Sequence, residues 1–178
     1  WILSDPNAYT DFKTYVQQHR AARPVFILKK NIQGKQGLLL TASPETIDAN
    51  KSEYKVVQLY FTRPYTIQGY KLNIRLYCVI VCSAARTPDW YLYKAGKCIY
   101  TNKTYDPNTS PYALADKEQH FTSYNLDTDD KYTRLRLPET LPEVKVVMGA
   151  DSFDRVWMKT KHKLGLVKRA YAGVLCQD

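Results

Sequence analysis

Residues Val56 to Cys82 read VVQLYFTRPYTIQGYKLNIRLYCVIVC, and the alternation inside this run decides the fold class. If Tyr70 to Cys78 is extended, successive side chains take opposite faces. Lys71, Asn73, Arg75 and Tyr77 then line one face, and Leu72, Ile74, Leu76 and Cys78 the other. The apolar face suits a core. The opposite face holds an ammonium and a guanidinium at most about 13 Å apart along the strand, which suits a polyanion such as a nucleoside triphosphate. The outer face of an edge strand alternates in the same way, so on pattern alone both readings stand.

Upstream, Asp5 or Asn7 caps a helix whose stripe is Tyr9, Phe12, Tyr15 and Val16, ending near Arg20 ahead of Pro24. Val25 to Leu28 and Leu38 to Thr41 read as strands flanking Lys29, Lys30 and the turn Asn31-Ile-Gln-Gly-Lys-Gln-Gly. Strand, lysine, glycine loop and strand can lay backbone N–H groups over phosphates, although most two-glycine turns bind nothing. Ser43 to Asn50 reads as a short helix or loop with Pro44 in its first turn, and Val56 to Phe61 as a strand with Gln58 and Tyr60 on one face.

Downstream, Tyr91 to Tyr93 and Cys98 to Thr101 are expected to pair as a hairpin around Lys94-Ala95-Gly96-Lys97, followed by a long polar connection from Asn102 to Gln119. Ser152 is expected to cap a helix from Phe153 to about Leu175. Its apolar stripe includes Phe153, Trp157, Leu164 and Tyr171, while Arg155, Lys159, Lys163 and Lys168 lie elsewhere. Such a basic surface is either solvated or a docking face for an acidic polymer.

With 178 residues, 44% hydrophobic and 24% charged, the chain can bury a core as one domain or two closely packed subdomains. No uninterrupted apolar stretch reaches the roughly 18 residues that a bilayer requires, so no membrane role is expected. The start at Trp1, with charged and polar residues close behind, reads as a processed or partial chain without a secretory signal. Twenty-six Lys and Arg against 17 Asp and Glu give +9, a field that favours nucleic acid, nucleotides or Glu-rich tails. Cys78, Cys82, Cys98 and Cys176 form no CxxC pair and are read as reduced thiols in a reducing compartment. Asn50-Lys-Ser, Asn102-Lys-Thr and Asn108-Thr-Ser match the glycosylation triplet and are read as chance occurrences.

The Val56 to Cys82 run, followed by YLYKAGKCIYTNKTYD and HFTSYNLD, resembles the tubulin tyrosine ligase-like family. Its signature reads roughly VVQxYIxxPLLIxGxKFDLRxYVLVTS, then xRFATxxYD, then HLTNYSINK. The opening WILSDPNAYTDFKTYV resembles that family's TWxLPxxxxxF segment, and FILKKNIQGKQG its WIVKPxxxxxGxG turn. The resemblance runs through nearly the whole chain in order. It implies an α+β, ATP-grasp-like fold of mixed and antiparallel sheets with flanking helices. Residues 1–54 would form a smaller nucleotide lobe, and residues 55–178 a larger lobe lacking the family's metal-binding segment.

The family joins an amino acid to a protein carboxylate, usually on a tubulin tail, through an acyl phosphate, using ATP and Mg2+. By position the resemblance gives Lys29 the α-phosphate, Gln58, Leu59, Tyr60 and Phe61 the adenine border, Lys71 the second nucleotide contact, and Arg75 the transferring phosphate. Asn73 is a further cofactor-contacting position. Phosphoryl transfer is mostly positioning and charge neutralisation, which cations on one rigid strand can supply.

The departures are specific. Asn73 replaces an acidic residue, Ile99 an arginine, Ser123 an asparagine and Lys30 a proline, and no magnesium ligand of the family falls within the chain. Two readings stay open: an active ligase acting on acidic tubulin tails, or a degenerate relative serving as a scaffold in a microtubule, axonemal or ribonucleoprotein assembly. The 15 tyrosines leave RNA binding as a third reading. His120 is expected to be a structural hydrogen-bonding residue. Cytoplasmic or cytoskeletal placement, a cilium or flagellum included, is expected; the sequence does not separate it from a mitochondrial one.

Overall fold

A computed structural model describes residues 1–32, 35–82, 88–108, 110–122, 132, 134–171 and 173–176. The fold is α+β, with antiparallel strand pairs and flanking helices, and the chain divides into two compact units that interleave in sequence. One comprises Trp1–Leu72 and Tyr100–Ser123, the other Asn73–Ile99 and Tyr124–Asp178. Gln33, Gly34 and Ser123, each singled out by the sequence, lie outside the described residues.

In the first unit, α1 spans Pro6–Gln18. It starts there because the Asp5 carboxylate accepts the N–H groups of Asn7 and Ala8, and because Pro6 fits a first turn that has no need of its missing donor. Its apolar stripe turns Phe12 onto a sheet made of β1 (Phe26–Lys29), β2 (Leu38–Thr41) and β3 (Val56–Leu59), in the order β2-β1-β3. Phe12 is fully buried, edge-on to Phe26 at 5.3 Å, in a cluster with Leu3, Leu28, Ile47, Tyr54 and Val57. Ile47 comes from α2 (Pro44–Asn50), which Ser43 caps by accepting from the Thr46 N–H at 3.1 Å.

The antiparallel register puts Ile27 opposite both Leu40 and Gln58, and Lys29 opposite Leu38 and Val56. Period-two alternation therefore splits the sheet: Phe26, Leu28 and Val57 face α1, while Ile27, Lys29, Gln58 and, one step on, Tyr60 face the other side. That second face packs against Val25, Leu40, Leu114 and Phe121. Leu114 belongs to α3 (Pro111–Ala115), and Phe121 follows α4 (Lys117–His120). These two short helices break up the polar connection expected from Asn102 to Gln119.

Strand β4 (Thr66–Ile67) turns into β5 (Tyr70–Arg75) through Gln68 and Gly69. Both have positive φ, 51° and 81°, as a two-residue turn matched to strand twist requires. β5 ends at Arg75, and β6 (Cys78–Cys82) begins a separate ribbon, so Tyr70 to Cys78 is not one continuous strand. Nor is the apolar set a single core face: Leu72 and Ile74 are half-buried, and in β6 Val79 and Val81 are exposed.

In the second unit, β7 (Pro88–Leu92) pairs with β6, whereas β8 (Lys97–Tyr100) joins β5 in the sheet β4-β5-β8. The expected hairpin between these strands does not form. Gly96, at φ +60°, redirects the chain at a point where a Cβ would lie 3.1 Å from the Arg75 carbonyl oxygen. Helix α5 (Leu141–Met148) was not anticipated, although Thr140-Leu-Pro-Glu143 has capping-box spacing. Glu143 accepts from the Glu139 N–H at 3.0 Å and from the Thr140 hydroxyl at 2.6 Å. The last helix, α6, spans Ala150–Tyr171, starting earlier and stopping sooner than its periodicity predicts.

Cys82 and Cys176 are joined by a disulfide, which corrects the reading of four reduced thiols; Cys78 and Cys98 are free. The partners are 94 residues apart in sequence and 5.4 Å apart at Cα, a proximity that spacing cannot reveal. Among the described residues no helix is long and apolar enough to cross a membrane.

Truncating Phe12 to alanine removes the centre of the first unit's core, and such a loss costs about 3–5 kcal/mol. Urea unfolding should show that drop. A change below about 1 kcal/mol would contradict the packing described.

Candidate functional site

The sequence-predicted cation Lys71 is the centre of the most distinctive polar cluster in the first unit. β5 carries its ammonium onto the sheet face occupied by Tyr60, and it donates to the Tyr60 hydroxyl at 3.0 Å and to the His120 carbonyl at 2.9 Å. The same ammonium lies 4.5 Å from the Tyr60 ring centroid and 6.0 Å from that of Tyr105. Two electron-rich faces thus substitute for part of its lost hydration. No carboxylate pairs with it among the described residues.

Burial consequently pulls the Lys71 pKa down to about 8. A cation held without a counter-charge favours an arriving anion, whose field would reverse that penalty.

The remaining groups form a relay with one consistent proton arrangement. Tyr60 lies 3.2 Å from His120 Nδ1, and His120 Nε2 lies 3.0 Å from the Ala113 carbonyl. Lys71 donates an N–H to the Tyr60 oxygen, the Tyr60 O–H donates to Nδ1, and a neutral imidazole donates its Nε2–H to the Ala113 carbonyl. The environment enforces that neutrality. His120 is 1% exposed, and burial, with the Lys71 charge beside it, lowers its pKa against the opposing Ala113 bond. Burial, then Tyr105, pushes the Tyr60 phenol up, so it stays protonated as a donor. Tyr105 is fixed by its bond to the Thr62 carbonyl at 3.0 Å and sits edge-on to His120 at 5.5 Å.

Beside this cluster the edge of β3 is open. Tyr60 N–H donates to Val25 at 2.8 Å, so Gln58 and Tyr60 turn their backbone groups toward β1, and Val57 and Leu59 turn theirs outward. Trp1 takes both outward groups of Val57: its ammonium donates to the Val57 carbonyl at 2.7 Å, and the Val57 N–H donates to the Trp1 carbonyl at 3.0 Å. Those of Leu59 have no partner among the described residues. The side chains of Leu59 and Phe61 are 39% and 83% exposed, an apolar surface next to unused backbone donors and acceptors.

Lys29 shares its sheet face with Gln58 and Tyr60, is half-buried, and makes no ion pair among the described residues. Lys29, Gln58, Leu59, Tyr60, Phe61 and Lys71 therefore belong to one compact unit, while Asn73 and Arg75, both exposed, are assigned to the other. Tyr105 and His120 complete the Lys71 cluster. Their signal was the Tyr of Lys103-Thr-Tyr-Asp and the His that opens His120-Phe-Thr, both inside the resembling motifs.

The departures from the family signature also have local reasons. Lys30 donates its backbone N–H to the Gly37 carbonyl at 2.8 Å, a bond that proline could not make, and its ammonium pairs with Glu53 at 2.7 Å. Ile99 is 5% exposed, so a core side chain stands where the signature has an arginine. Lys29 and Lys71 are cations, and the backbone N–H and C=O of Leu59 an unused donor and acceptor, the kinds of group that phosphates and a base take. Among the described residues no group of three or more His, Cys, Asp or Glu could hold a metal ion.

The groove between α1 and α2, lined by Lys13, Arg20, Arg23, Glu45 and Asp48 among others, includes none of the candidate residues. Its Asp48 is already bonded to Lys13 and Tyr9.

Comparison with known proteins places these features in context. Residues 4–146 match the family model described as the tubulin-tyrosine ligase family. The chain is 33% identical over 133 residues to a probable beta-tubulin polyglutamylase of Tetrahymena thermophila, covering 73% of this chain and 10% of that protein. It is 29% identical to tubulin polyglutamylase TTLL7 of Xenopus tropicalis, over 71% of this chain and 14% of the relative. It is 27% identical to tubulin polyglutamylase TTLL13 of Mus musculus, over 71% and 15%. The chain therefore spans only 10 to 15% of the length of these relatives.

The Lys71 ε-carbon, followed by NMR in wild type with Lys71→Arg to assign it, should titrate with a midpoint near 8. A midpoint at the ordinary lysine value of about 10.4 would contradict the burial described. For His120, the lowered folded pKa means that its contribution to stability is present above the unfolded value of about 6.5 and is lost as pH falls through the folded value. Replacing His120 by Gln should remove that part of the acid sensitivity in urea unfolding followed from pH 7 downward.

Proposed function

The chain belongs to the tubulin-tyrosine ligase family, and from that premise we propose that it is the nucleotide-binding portion of an ATP-grasp ligase that joins glutamate to tubulin carboxylates. The observation that carries the reading is the half-buried Lys71 ammonium, held by a phenol, a backbone carbonyl and two ring faces and paired with no carboxylate among the described residues. When bound, ATP supplies the phosphoryl group that makes a carboxylate reactive toward an amine.

The chain's own groups bind and orient. Lys71 on β5 and Lys29 on β1 offer charge to phosphate oxygens. The outward N–H and C=O of Leu59 offer the adenine edge one donor and one acceptor, and the exposed Phe61 ring offers it an apolar surface. Arg75 is the candidate to steady a transferring phosphate, because its planar guanidinium can make two parallel bonds to phosphate oxygens. Asn73 keeps a polar contact at the position where the signature is acidic, without its charge. The Tyr60–His120 relay fixes the direction of the Lys71 ammonium, and with it the place where an anion is most stabilised. Within this reading, residues 1–54 act as the smaller nucleotide lobe and residues 55–178 as the larger.

A second reading is favoured by Ile99. A buried aliphatic residue where the signature carries an arginine leaves no guanidinium for a substrate carboxylate there, which suits a relative that binds nucleotide and partner without transfer. Incorporation of labelled glutamate into tubulin separates the two. Label above that of Lys71→Ala supports the ligase, and nucleotide binding without incorporation supports the scaffold.

Nucleotide binding is measured by titrating ATP and magnesium into wild type, Lys71→Ala and Arg75→Ala. Loss of one charge-assisted contact, about 1.5–3 kcal/mol, should weaken Lys71→Ala roughly 10- to 100-fold. Equal, weak signals from all three proteins would sink the reading.

A further inference from the structure

We propose that one row of basic side chains on α6 is the docking surface for an extended Glu-rich peptide; the identity of the partner rests on the ligase reading above. Between Arg155 and Arg169 the helix carries Arg155, Lys159, Lys161, Lys163, Lys168 and Arg169 and no acidic residue. At about 100° per residue, Arg155, Lys159, His162, Lys163 and Arg169 fall within about 120° of the helix circumference, with Lys161 and Lys168 outside that arc. All five side chains of the row are exposed.

Among the described residues no carboxylate forms an ion pair with this row, Asp151 one turn before Arg155 included. Asp154, just before the row, is taken by Lys145 at 3.0 Å, and Arg155 donates to the Ser152 hydroxyl at 3.1 Å. Lys159, Lys163 and Arg169 have no ion-pair partner among the described residues. Arg155, Lys159 and Lys163 are spaced four apart, where like charges repel along a helix. An acidic chain laid along the row would relieve that repulsion.

The spacing suits a peptide. Residues four apart on a helix rise about 6 Å, and alternate side chains of an extended chain are about 6.6–6.8 Å apart, so a run of glutamates meets Arg155, Lys159 and Lys163 at one carboxylate per turn, with Arg169 about 9 Å further on. From Arg155 to Arg169 the row is about 21 Å long, room for roughly six extended residues. Phe153, Trp157 and Tyr171 lie on the opposite stripe, with Phe153 and Trp157 stacked at 6.4 Å. The row offers a nucleic-acid base no Phe, Tyr or Trp face and one imidazole, that of His162, where a stacking platform uses successive rings, which favours a peptide over single-stranded RNA.

The test is the fluorescence anisotropy of fluorescein-labelled deca-glutamate with the full chain at low ionic strength. Lys159→Glu with Lys163→Glu should weaken binding at least about tenfold and flatten its salt dependence, whereas Lys161→Glu with Lys168→Glu, the same charge change on the other arc, should weaken it less than about threefold. Lys159→Gln with Lys163→Gln, checked by far-UV circular dichroism, should show an intermediate loss with the helix intact. Equal loss in both reversal pairs would mean net charge alone and would overturn the proposal. So would a single-stranded RNA of equal charge that binds more tightly with the same dependence on Lys159 and Lys163. An ATP titration of the same proteins keeps the two claims apart. Peptide binding through the row without ATP binding removes the nucleotide reading alone, and ATP binding without peptide binding removes the docking surface alone.

Discussion

An ammonium lowered into a protein without a carboxylate must be held by dipoles and rings, and the first unit is arranged around that requirement for Lys71. Tyr60 supplies an oxygen and a ring face, and His120 supplies a carbonyl. Each is fixed by something deeper: Tyr60 by its backbone bond to Val25 at the end of the sheet, and His120 by its Nε2 bond to Ala113. The sheet, the connection through α3 and α4, and β5 thus meet at one cation. Their packing orients a charge that they leave short of a counter-charge, a state that a structural lysine would ordinarily escape by reaching solvent.

Much of the first unit was legible because its signals are local. Asp5-Pro6 and Ser43-Pro44 are cap and first-turn pairs, and each starts its helix where the chemistry of orphan N–H groups demands. The short apolar runs around Lys29 became β1 and β2 within a residue. Lys71 stood out through alternation, and the family resemblance through motifs spread along the chain, which the match over residues 4–146 bears out.

What stayed hidden depends on distance in sequence. Lys71 and His120 are 49 residues apart, and Cys82 and Cys176 are 94 apart, so neither meeting leaves a periodic trace. The hairpin expected around Gly96 failed for a related reason. Positive φ and close approach to Arg75 send β8 to β5, a choice made by tertiary contact instead of turn composition. The interleaving of the two units likewise has no linker to mark it. Helix α5 was the exception, since the Thr140 to Glu143 spacing was there to be read.

The central claim is that the charge on Lys71 is held for an anion. Following the Lys71 ε-carbon through a pH titration with saturating ATP addresses it directly, because the field of a bound phosphate acts on the proton of that one group. The account predicts an apparent pKa displaced upward from about 8 when nucleotide is present. A midpoint that stays where it was, with nucleotide demonstrably bound, would contradict it.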